Sequence, residues 1–347
     1  MSDCSILDGL NARAYEHCIP LNVTLELTLR CNIRCTHCYN FDRDQPRPAS
    51  GPELSLDEIR PLMDDLRRAG TLFLTLTGGE AMAHPRFWEI CDEAASRGFA
   101  LSVLTNGTLL TDAACERLAR IPGLWGVSVS VYGAVASTHD GVTQVAGSFE
   151  RTMSGSRRLR ARGVRTALKF IVMKLNAAEV GAMIAMADAE GFEYAVDPSI
   201  TGRYDGTSGS LDTRVDAAAL EDLYKGPLSG FVGPMRPENP GDDDFKCNCA
   251  RGNAAVSSTG EVYPCIATPL RAGSVREQPF GEIWGTSPVF RRIRGLRIAD
   301  FKTCAPCGLK RWCRRSPGPA YLLTGDYTGV DPWTCAEAAL LKQLASK

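Results

Sequence analysis

The sequence predicts an α/β protein, a partial TIM-like (β/α)6 barrel followed by a C-terminal cysteine-rich extension. Helix-like and strand-like segments alternate between residues 55 and 200, which is typical of a parallel sheet. With 347 residues and 44% hydrophobic content, the chain can form one large core and a smaller second part. Its 14 cysteines crowd into short spacings, above all in the C-terminal third.

Six apolar segments are predicted as strands, at residues 23–29, 72–76, 100–104, 127–131, 166–173 and 194–196. A glycine separates four of them from the preceding helix, because the residue after a helix often adopts a left-handed conformation. Ser55 and Glu58 form a capping-box pattern at the start of the first of these helices. Six units are too few for a closed eight-stranded barrel, so an open partial barrel is expected, with a flat doubly wound sheet as the alternative.

The chain divides into four predicted regions. Residues 1–20 form an N-terminal segment, 21–201 the barrel, 202–244 a linker and 245–347 the cysteine-rich domain. Glycine, proline and aspartate break the linker, with one helix expected near residues 216–224. Because long irregular loops are often functional, the linker is expected on the substrate side, with an ordinary surface linker as an equal alternative.

Composition excludes several classes of partner. The formal net charge of −1 gives no bulk attraction to nucleic acid or to an acidic membrane surface. The N-terminus has no secretory signal pattern, and no stretch approaches the roughly 20 apolar residues of a membrane span. We therefore expect a cytoplasmic protein, in which clustered cysteines indicate metal binding rather than disulfides.

Three cysteines follow the first predicted strand in a C-x3-C-x2-C spacing, Cys31, Cys35 and Cys38. Three soft thiolates on one short loop can hold a metal centre, and three is one fewer than a closed site needs. The count therefore favours an open, reactive iron. Zinc with His37 as a fourth ligand is the alternative, but His37 lies between two of the cysteines, where joint ligation is awkward.

Polar and glycine residues follow the other predicted strands, where a parallel α/β sheet binds its ligands. Two glycines allow a close backbone approach to a ligand, and a following carboxylate can accept a hydrogen bond from an amino group. The residues concerned are Gly78, Gly79, Glu80, Thr105, Asn106, Ser130, Tyr132 and Asp197, together with Lys169 within the fifth strand.

A second cysteine pattern occupies the C-terminal third. Cys249 precedes Gly260 by ten intervening residues, and Cys265 follows after four more. The remaining members are Cys247, the run Cys304-x2-Cys307-x5-Cys313, and Cys335. A treble-clef-like zinc site is the alternative interpretation of the Cys304-x2-Cys307 pair.

Together these motifs resemble radical S-adenosylmethionine enzymes with a C-terminal SPASM domain. The resemblance implies that Cys31, Cys35 and Cys38 hold a [4Fe–4S] cluster whose fourth iron binds the amino and carboxylate groups of S-adenosylmethionine. It also places His37 beside the adenine, where the family usually has another aromatic residue. Gly78, Gly79 and Glu80 would meet the amino group, Thr105 and Asn106 would lie near the ribose, and Ser130 would bind the methionine moiety.

The SPASM resemblance implies two auxiliary iron–sulfur clusters. Cys304, Cys307, Cys313 and Cys335 would hold the outer cluster, and Cys247, Cys249 and Cys265 the inner one. Family members usually have one more cysteine where this chain has Ser316. A neutral hydroxyl is a poor substitute for a thiolate, so we favour an incomplete or open inner cluster. Completion by a nearby oxygen ligand, or a lost or different cluster, are the alternatives.

The implied reaction is reductive cleavage of S-adenosylmethionine, followed by hydrogen-atom abstraction from a substrate C–H bond by a 5′-deoxyadenosyl radical. The auxiliary clusters would accept the second electron. By family analogy we expect oxidation or crosslinking of a side chain in a ribosomally made precursor peptide. Oxidation of a tetrapyrrole side chain or small alcohol, sulfatase-type maturation, and a non-catalytic electron-transfer protein are the alternatives.

Further partners follow from that interpretation. The first strand begins near Asn22, which leaves no room for a fused N-terminal peptide-recognition domain. A separate leader-recognition protein is therefore expected, together with a flavodoxin- or ferredoxin-type electron donor. Among the substrate-side candidates Asp197, Tyr132 and Lys169, hydrogen bonding in the structure is the alternative to proton transfer.

Overall fold

The fold is taken from a computed structural model that describes residues 3–41, 51–236, 238, 240–243 and 247–346. Residues 1–2 of the predicted N-terminal segment, 42–50 of the predicted barrel, 237, 239 and 244 of the predicted linker, and 245–246 and 347 of the cysteine-rich domain lie outside the described residues.

Six parallel strands follow one another across the sheet in chain order, as predicted. They are β1 (Asn22–Thr28), β2 (Phe73–Gly78), β3 (Ala100–Thr105), β4 (Leu124–Val131), β5 (Thr166–Ile171) and β6 (Glu193–Asp197). The sheet does not close on itself, which confirms the partial barrel over the full barrel. β5 ends two residues earlier than predicted, because the side chain of Asn176 bonds the carbonyl of Ile171 and the amide of Met173.

The C-terminal domain extends the same sheet, which the sequence did not predict. β7 (Asn253–Val256) pairs in parallel with β1, and the short strands β8 (Glu261–Tyr263) and β9 (Gly273–Ser274) continue antiparallel. The nine described strands therefore form one sheet with the order β6-β5-β4-β3-β2-β1-β7-β8-β9. The two predicted domains share backbone hydrogen bonds along β1.

Helices connect and cover these strands. They are α1 (Asp3–His17), α2 (Leu56–Arg68), α3 (Phe87–Ser96), α4 (Asp112–Ala119), α5 (Ala136–Thr143), α6 (Ser148–Ala161), α7 (Val180–Glu190), α8 (Ala217–Lys225), α9 (Phe280–Thr286), α10 (Pro288–Gly295), α11 (Pro317–Thr324) and α12 (Pro332–Ala345). The predicted capping box of Ser55 and Glu58 is present at α2. The predicted linker helix is α8, and the Asp216 side chain caps it. Within the described ranges, none of these helices has the length and apolar character needed to cross a membrane.

The two faces of the barrel sheet differ because successive side chains of a strand point to opposite sides. Leu25, Leu76 and Val129 face the helices and belong to the largest hydrophobic core. Thr77, Ser130 and other polar residues alternate with them and line an internal cavity. The alternation thus builds a dry core on one side and a polar site on the other.

A side-chain contact joins the C-terminal extension to the barrel. The guanidinium of Arg276, just after β9, donates to the carboxylate of Glu58 on α2 at 2.7 Å. Glu58 also accepts from the backbone amide of Ser55. This hydrogen bonding, led by the contact with Arg276, lowers the pKa of Glu58 to about 2.

Glu58→Gln is therefore expected to lower the free energy of unfolding at neutral pH by about 0.5 kcal/mol, a small value because the ion pair is partly exposed. A carboxyl group whose pKa is depressed by folding stabilises the protein above its unfolded pKa. That stabilisation is lost as the pH falls from 4.5 toward about 2. Thermal unfolding of both proteins across this range checks the prediction, with Glu89→Gln in an exposed ion pair on α3 as control. A deficit that persists unchanged at the acidic end would contradict it.

Candidate active site

The cysteine loop, residues 30–41, is fixed at its start by backbone contacts with the end of β2. The amide of Gly79 donates to the carbonyl of Thr28 at 2.7 Å, and the amide of Glu80 donates to the carbonyl of Arg30 at 2.8 Å. A Cβ atom at Gly78 would lie 2.2 Å from the Thr28 carbonyl oxygen, and one at Gly79 would lie 2.4 Å from that of Arg30. Both glycines are therefore required by contact between two protein backbones, in addition to any ligand.

The side chain of Glu80 connects the ends of β2 and β3. Its carboxylate accepts hydrogen bonds from the Thr105 hydroxyl at 2.8 Å and from the backbone amides of Asn106 at 2.7 Å and Met82 at 3.1 Å. Burial raises the pKa of Glu80, and these hydrogen bonds oppose the rise. Three of the carboxylate's acceptor positions are thus used within the protein.

Asn106 extends this network to the first cysteine. Its side-chain amide donates to Asn32 at 2.9 Å and lies 3.8 Å from the sulfur of Cys31. Asn32 in turn donates to Thr108 at 2.7 Å. The Thr105-Asn106-Gly107 motif thereby positions the cysteine loop.

The far end of the cysteine loop is held by α5 and by the predicted linker. The amides of Arg34 and Thr36 donate to the last carbonyls of α5 at 2.9 and 3.0 Å. From the linker, the buried guanidinium of Arg203 donates to the carbonyl of Cys38 at 3.2 Å, and the amide of Tyr204 donates to the carbonyl of Tyr39. The first residues of the linker therefore contribute to the site.

A cavity of about 410 Å³ lies at the carboxyl ends of the barrel strands, where parallel α/β folds bind ligands. Most of the predicted residues are on its wall, namely Cys31, Cys35, His37, Cys38, Gly78, Gly79, Thr105, Asn106, Ser130, Tyr132, Lys169 and Asp197. Glu80 lies behind that wall. Sequence reasoning missed Tyr204 and also Ile266 and Ala267, although the last two directly follow a predicted ligand, Cys265.

Among the described residues, three of the seven buried polar atoms without a hydrogen-bond partner lie at this cavity. They are Nδ1 of His37, Oδ1 of Asn40 and the hydroxyl of Tyr204, all on its wall. Folded proteins pair almost all buried polar groups, so these three atoms fit a cavity that takes a polar ligand. Burial lowers the pKa of His37 to about 4, which leaves its ring neutral at neutral pH.

The substrate-side candidates have different surroundings. Tyr132 is buried in a small hydrophobic cluster against which Cys35 packs, and its ring lies 4.7 Å from that of His37. Burial is the main reason that the pKa of Tyr132 is raised. Asp197 is exposed, and one of its oxygens accepts from the amide of Ser199 at 2.8 Å. Lys169 lies beside Ser130 in the register of β4 and β5 and makes no ion pair with a described residue.

The predicted inner cysteines lie together at the start of the C-terminal domain. The thiol of Cys249 neighbours those of Cys247 and Cys265, and this proximity lowers the pKa of Cys247 and Cys265 and raises that of Cys249. The hydroxyl of Tyr327 lies 3.9 Å from the sulfur of Cys247. Ser316 belongs to a different cavity.

The predicted outer cysteines line a second cavity of about 180 Å³. Its wall includes Cys304, Cys307, Cys313 and Cys335, with Cys247 and Ser316 also on it. Among the described residues, no three His, Cys, Asp or Glu side chains are arranged to hold a single metal ion.

These features define the chain as a radical S-adenosylmethionine enzyme with a SPASM domain. Residues 25–187 match the model of the Radical SAM superfamily, and residues 247–308 match that of an iron-sulfur cluster-binding domain named SPASM. The chain belongs to this family, whose cofactors are a [4Fe–4S] cluster, S-adenosylmethionine and auxiliary iron–sulfur clusters. Three soft thiolates at one cavity and seven in the C-terminal domain suit such clusters.

The relatives of this chain include enzymes whose names describe different reactions. The chain is 33% identical to an AdoMet-dependent heme synthase of Methanosarcina barkeri, over 90% of this chain and 96% of that protein. It is 27% identical to a PqqA peptide cyclase of Methylocella silvestris, over 90% of this chain and 87% of that protein. The fold is similar to Streptococcus suis SuiB bound to precursor peptide SuiA, with a TM-score of 0.66 at 15% identity, over 85% of this chain and 72% of that one.

Gly79→Ala is expected to displace the cysteine loop, because its new methyl group would lie 2.4 Å from the Arg30 carbonyl oxygen. Formation of 5′-deoxyadenosine from S-adenosylmethionine should fall about a hundredfold, the scale of a displacement near 1 Å. Gly285→Ala is the matched control, since a methyl group there meets no atom within 4 Å. Equal rates in the two variants would contradict the role given to this backbone contact.

Proposed function

We propose that this enzyme oxidises a side chain of a precursor peptide, with Cys31, Cys35 and Cys38 holding the catalytic [4Fe–4S] cluster. When bound, the cluster and S-adenosylmethionine supply the radical that removes a hydrogen atom from carbon. The cavity holds these groups and the target C–H bond together and excludes water. The PqqA peptide cyclase relative supports a peptide substrate.

We favour a peptide over a tetrapyrrole because of the charge of the cavity wall. Lys169 is the only lysine or arginine among the described residues that line the cavity, and His37 is neutral. Lys169 adjoins Ser130, to which we assign the methionine moiety of S-adenosylmethionine, so its ammonium group pairs with the carboxylate of that cofactor. Among the described wall residues, no second cation then remains for the several carboxylates of a tetrapyrrole, and burying an unpaired carboxylate is costly.

The remaining cavity residues receive roles on the same basis. Gly78 and Gly79 border the cofactor's amino group, Thr105 and Asn106 its ribose, and His37 its adenine, while Glu80 acts behind them by fixing Thr105 and Asn106. Asp197 is the only carboxylate on the described wall, so we assign it the proton that leaves the oxidised substrate. We assign Tyr132 a role in positioning Cys35, which packs against the same hydrophobic cluster.

We also propose a separate leader-recognition protein and a flavodoxin- or ferredoxin-type electron donor as partners. The proposed location is the cytoplasm. The auxiliary clusters are assigned to Cys247, Cys249 and Cys265 and to Cys304, Cys307, Cys313 and Cys335.

Oxidation of a tetrapyrrole side chain is the second candidate. One observation favours it, namely the higher identity to the heme synthase relative, of which the alignment covers 96%. The two candidates can be distinguished by which substrate changes mass, the peptide or the tetrapyrrole.

The purified, cluster-loaded protein is to be incubated with S-adenosylmethionine and a reductant, and with either short peptides encoded by neighbouring genes or an iron tetrapyrrole that carries propionate groups. We expect a peptide to lose the mass of two hydrogen atoms while 5′-deoxyadenosine forms. Cys31→Ala should abolish both changes. Loss of carbon dioxide and hydrogen from the tetrapyrrole, with every peptide unchanged, would decide for the second candidate.

Lys169→Met should weaken binding of S-adenosylmethionine about fivefold, which corresponds to the loss of one partly exposed charge pair. Equilibrium binding of the cofactor to the cluster-loaded protein measures this effect. Lys174→Met is the control, because that ammonium group donates to the carbonyl of Asp212 rather than lining the cavity. Unchanged cofactor affinity, with weaker binding of an acidic substrate, would reassign Lys169 to the substrate.

A further inference from the structure

The inner cysteines have a fourth neighbour that their sequence spacing does not reveal. The hydroxyl of Tyr327 lies 3.9 Å from the sulfur of Cys247. Burial, followed by the nearby thiols of Cys249, Cys247 and Cys265, raises the pKa of Tyr327, so the phenol is protonated while no metal is bound. Tyr327 is buried, with 4% of its surface exposed.

Ser316, which stands where the family usually has a cysteine, is placed differently. It is exposed and lies at the start of α11 on the wall of the outer cavity. Its hydroxyl makes no hydrogen bond to an inner cysteine among the described residues. A buried oxygen is therefore available beside the inner cysteines, but it belongs to Tyr327 rather than to Ser316.

Arg315 fixes the loop that carries Tyr327. Its guanidinium donates to the carbonyls of Tyr327 at 2.9 Å and Gly329 at 2.7 Å. The same group lies 4.4 Å from the ring centre of Phe301, which limits its movement. The loop is thus tied to the core at the residue whose hydroxyl meets Cys247, which is what a preformed ligand position requires.

We propose that the phenol oxygen of Tyr327 is the fourth protein ligand of the inner auxiliary cluster. This inference rests on the assignment of Cys247, Cys249 and Cys265 to that cluster. The phenol proton leaves to solvent as the iron–oxygen bond forms, as the thiol protons do when cysteines bind metal. Tyrosinate is an established iron ligand in proteins. The inner cluster is then fully ligated by protein, and no open iron remains there for the substrate.

The test uses the full chain with Cys31→Ala, Cys35→Ala and Cys38→Ala, so that the auxiliary clusters alone contribute to the spectra. Resonance Raman spectra excited in the visible range should contain phenolate ring modes of an iron-bound tyrosinate. Tyr327→Phe in this background should abolish these modes and change the electron paramagnetic resonance signal of the reduced protein. Tyr321→Phe, on the neighbouring helix α11, is the matched control and should change neither.

Two further variants keep the outcomes separate. Tyr327→Cys should bind as much iron as the parent protein and show no phenolate modes. This variant keeps the test valid if Tyr327→Phe fails to fold. Cys265→Ala should lower the iron bound per chain. If Cys265→Ala leaves iron unchanged, the inner cluster itself is absent. If it lowers iron but the parent lacks phenolate modes, or Tyr327→Phe retains them, the ligand assignment alone is wrong.

Discussion

The site depends on the close approach of two backbones, where Gly78 and Gly79 pass the residues that follow β1. That approach leaves no space for a Cβ atom, and it sets where the cysteine loop departs from the sheet. Once the loop leaves at this point, Glu80 and Asn106 can connect it to β3 through buried hydrogen bonds. The position of Cys31 is thus fixed by interactions that any cofactor finds already formed.

The C-terminal domain completes the site rather than standing beside it. Ile266 and Ala267 directly follow one of the inner cysteines, Cys265, and they form part of the wall of the barrel cavity. The linker closes another part of that wall with Tyr204. The wall of the barrel cavity and Cys265 are therefore directly adjacent along the chain.

Local patterns sufficed to predict much of this fold. Alternating apolar residues and helix-ending glycines located all six barrel strands, and the cysteine spacings located both cysteine groups. Interactions between distant segments could not be read in the same way. The short strand β7 carries no signal that its partner is β1, and nothing near Tyr327 in sequence indicates that it meets Cys247. Glu80 was identified by its motif, but its hydrogen-bond partners depend on where β3 ends.

Because β7 pairs with β1, the barrel and the extension are separate in sequence but belong to one continuous sheet. Without the C-terminal part, β1 would be an edge strand with unpaired amides and carbonyls, and such edges promote aggregation. Removing or replacing the extension therefore also removes the hydrogen-bonding partner of β1. A replacement would need residues that are compatible along both strands.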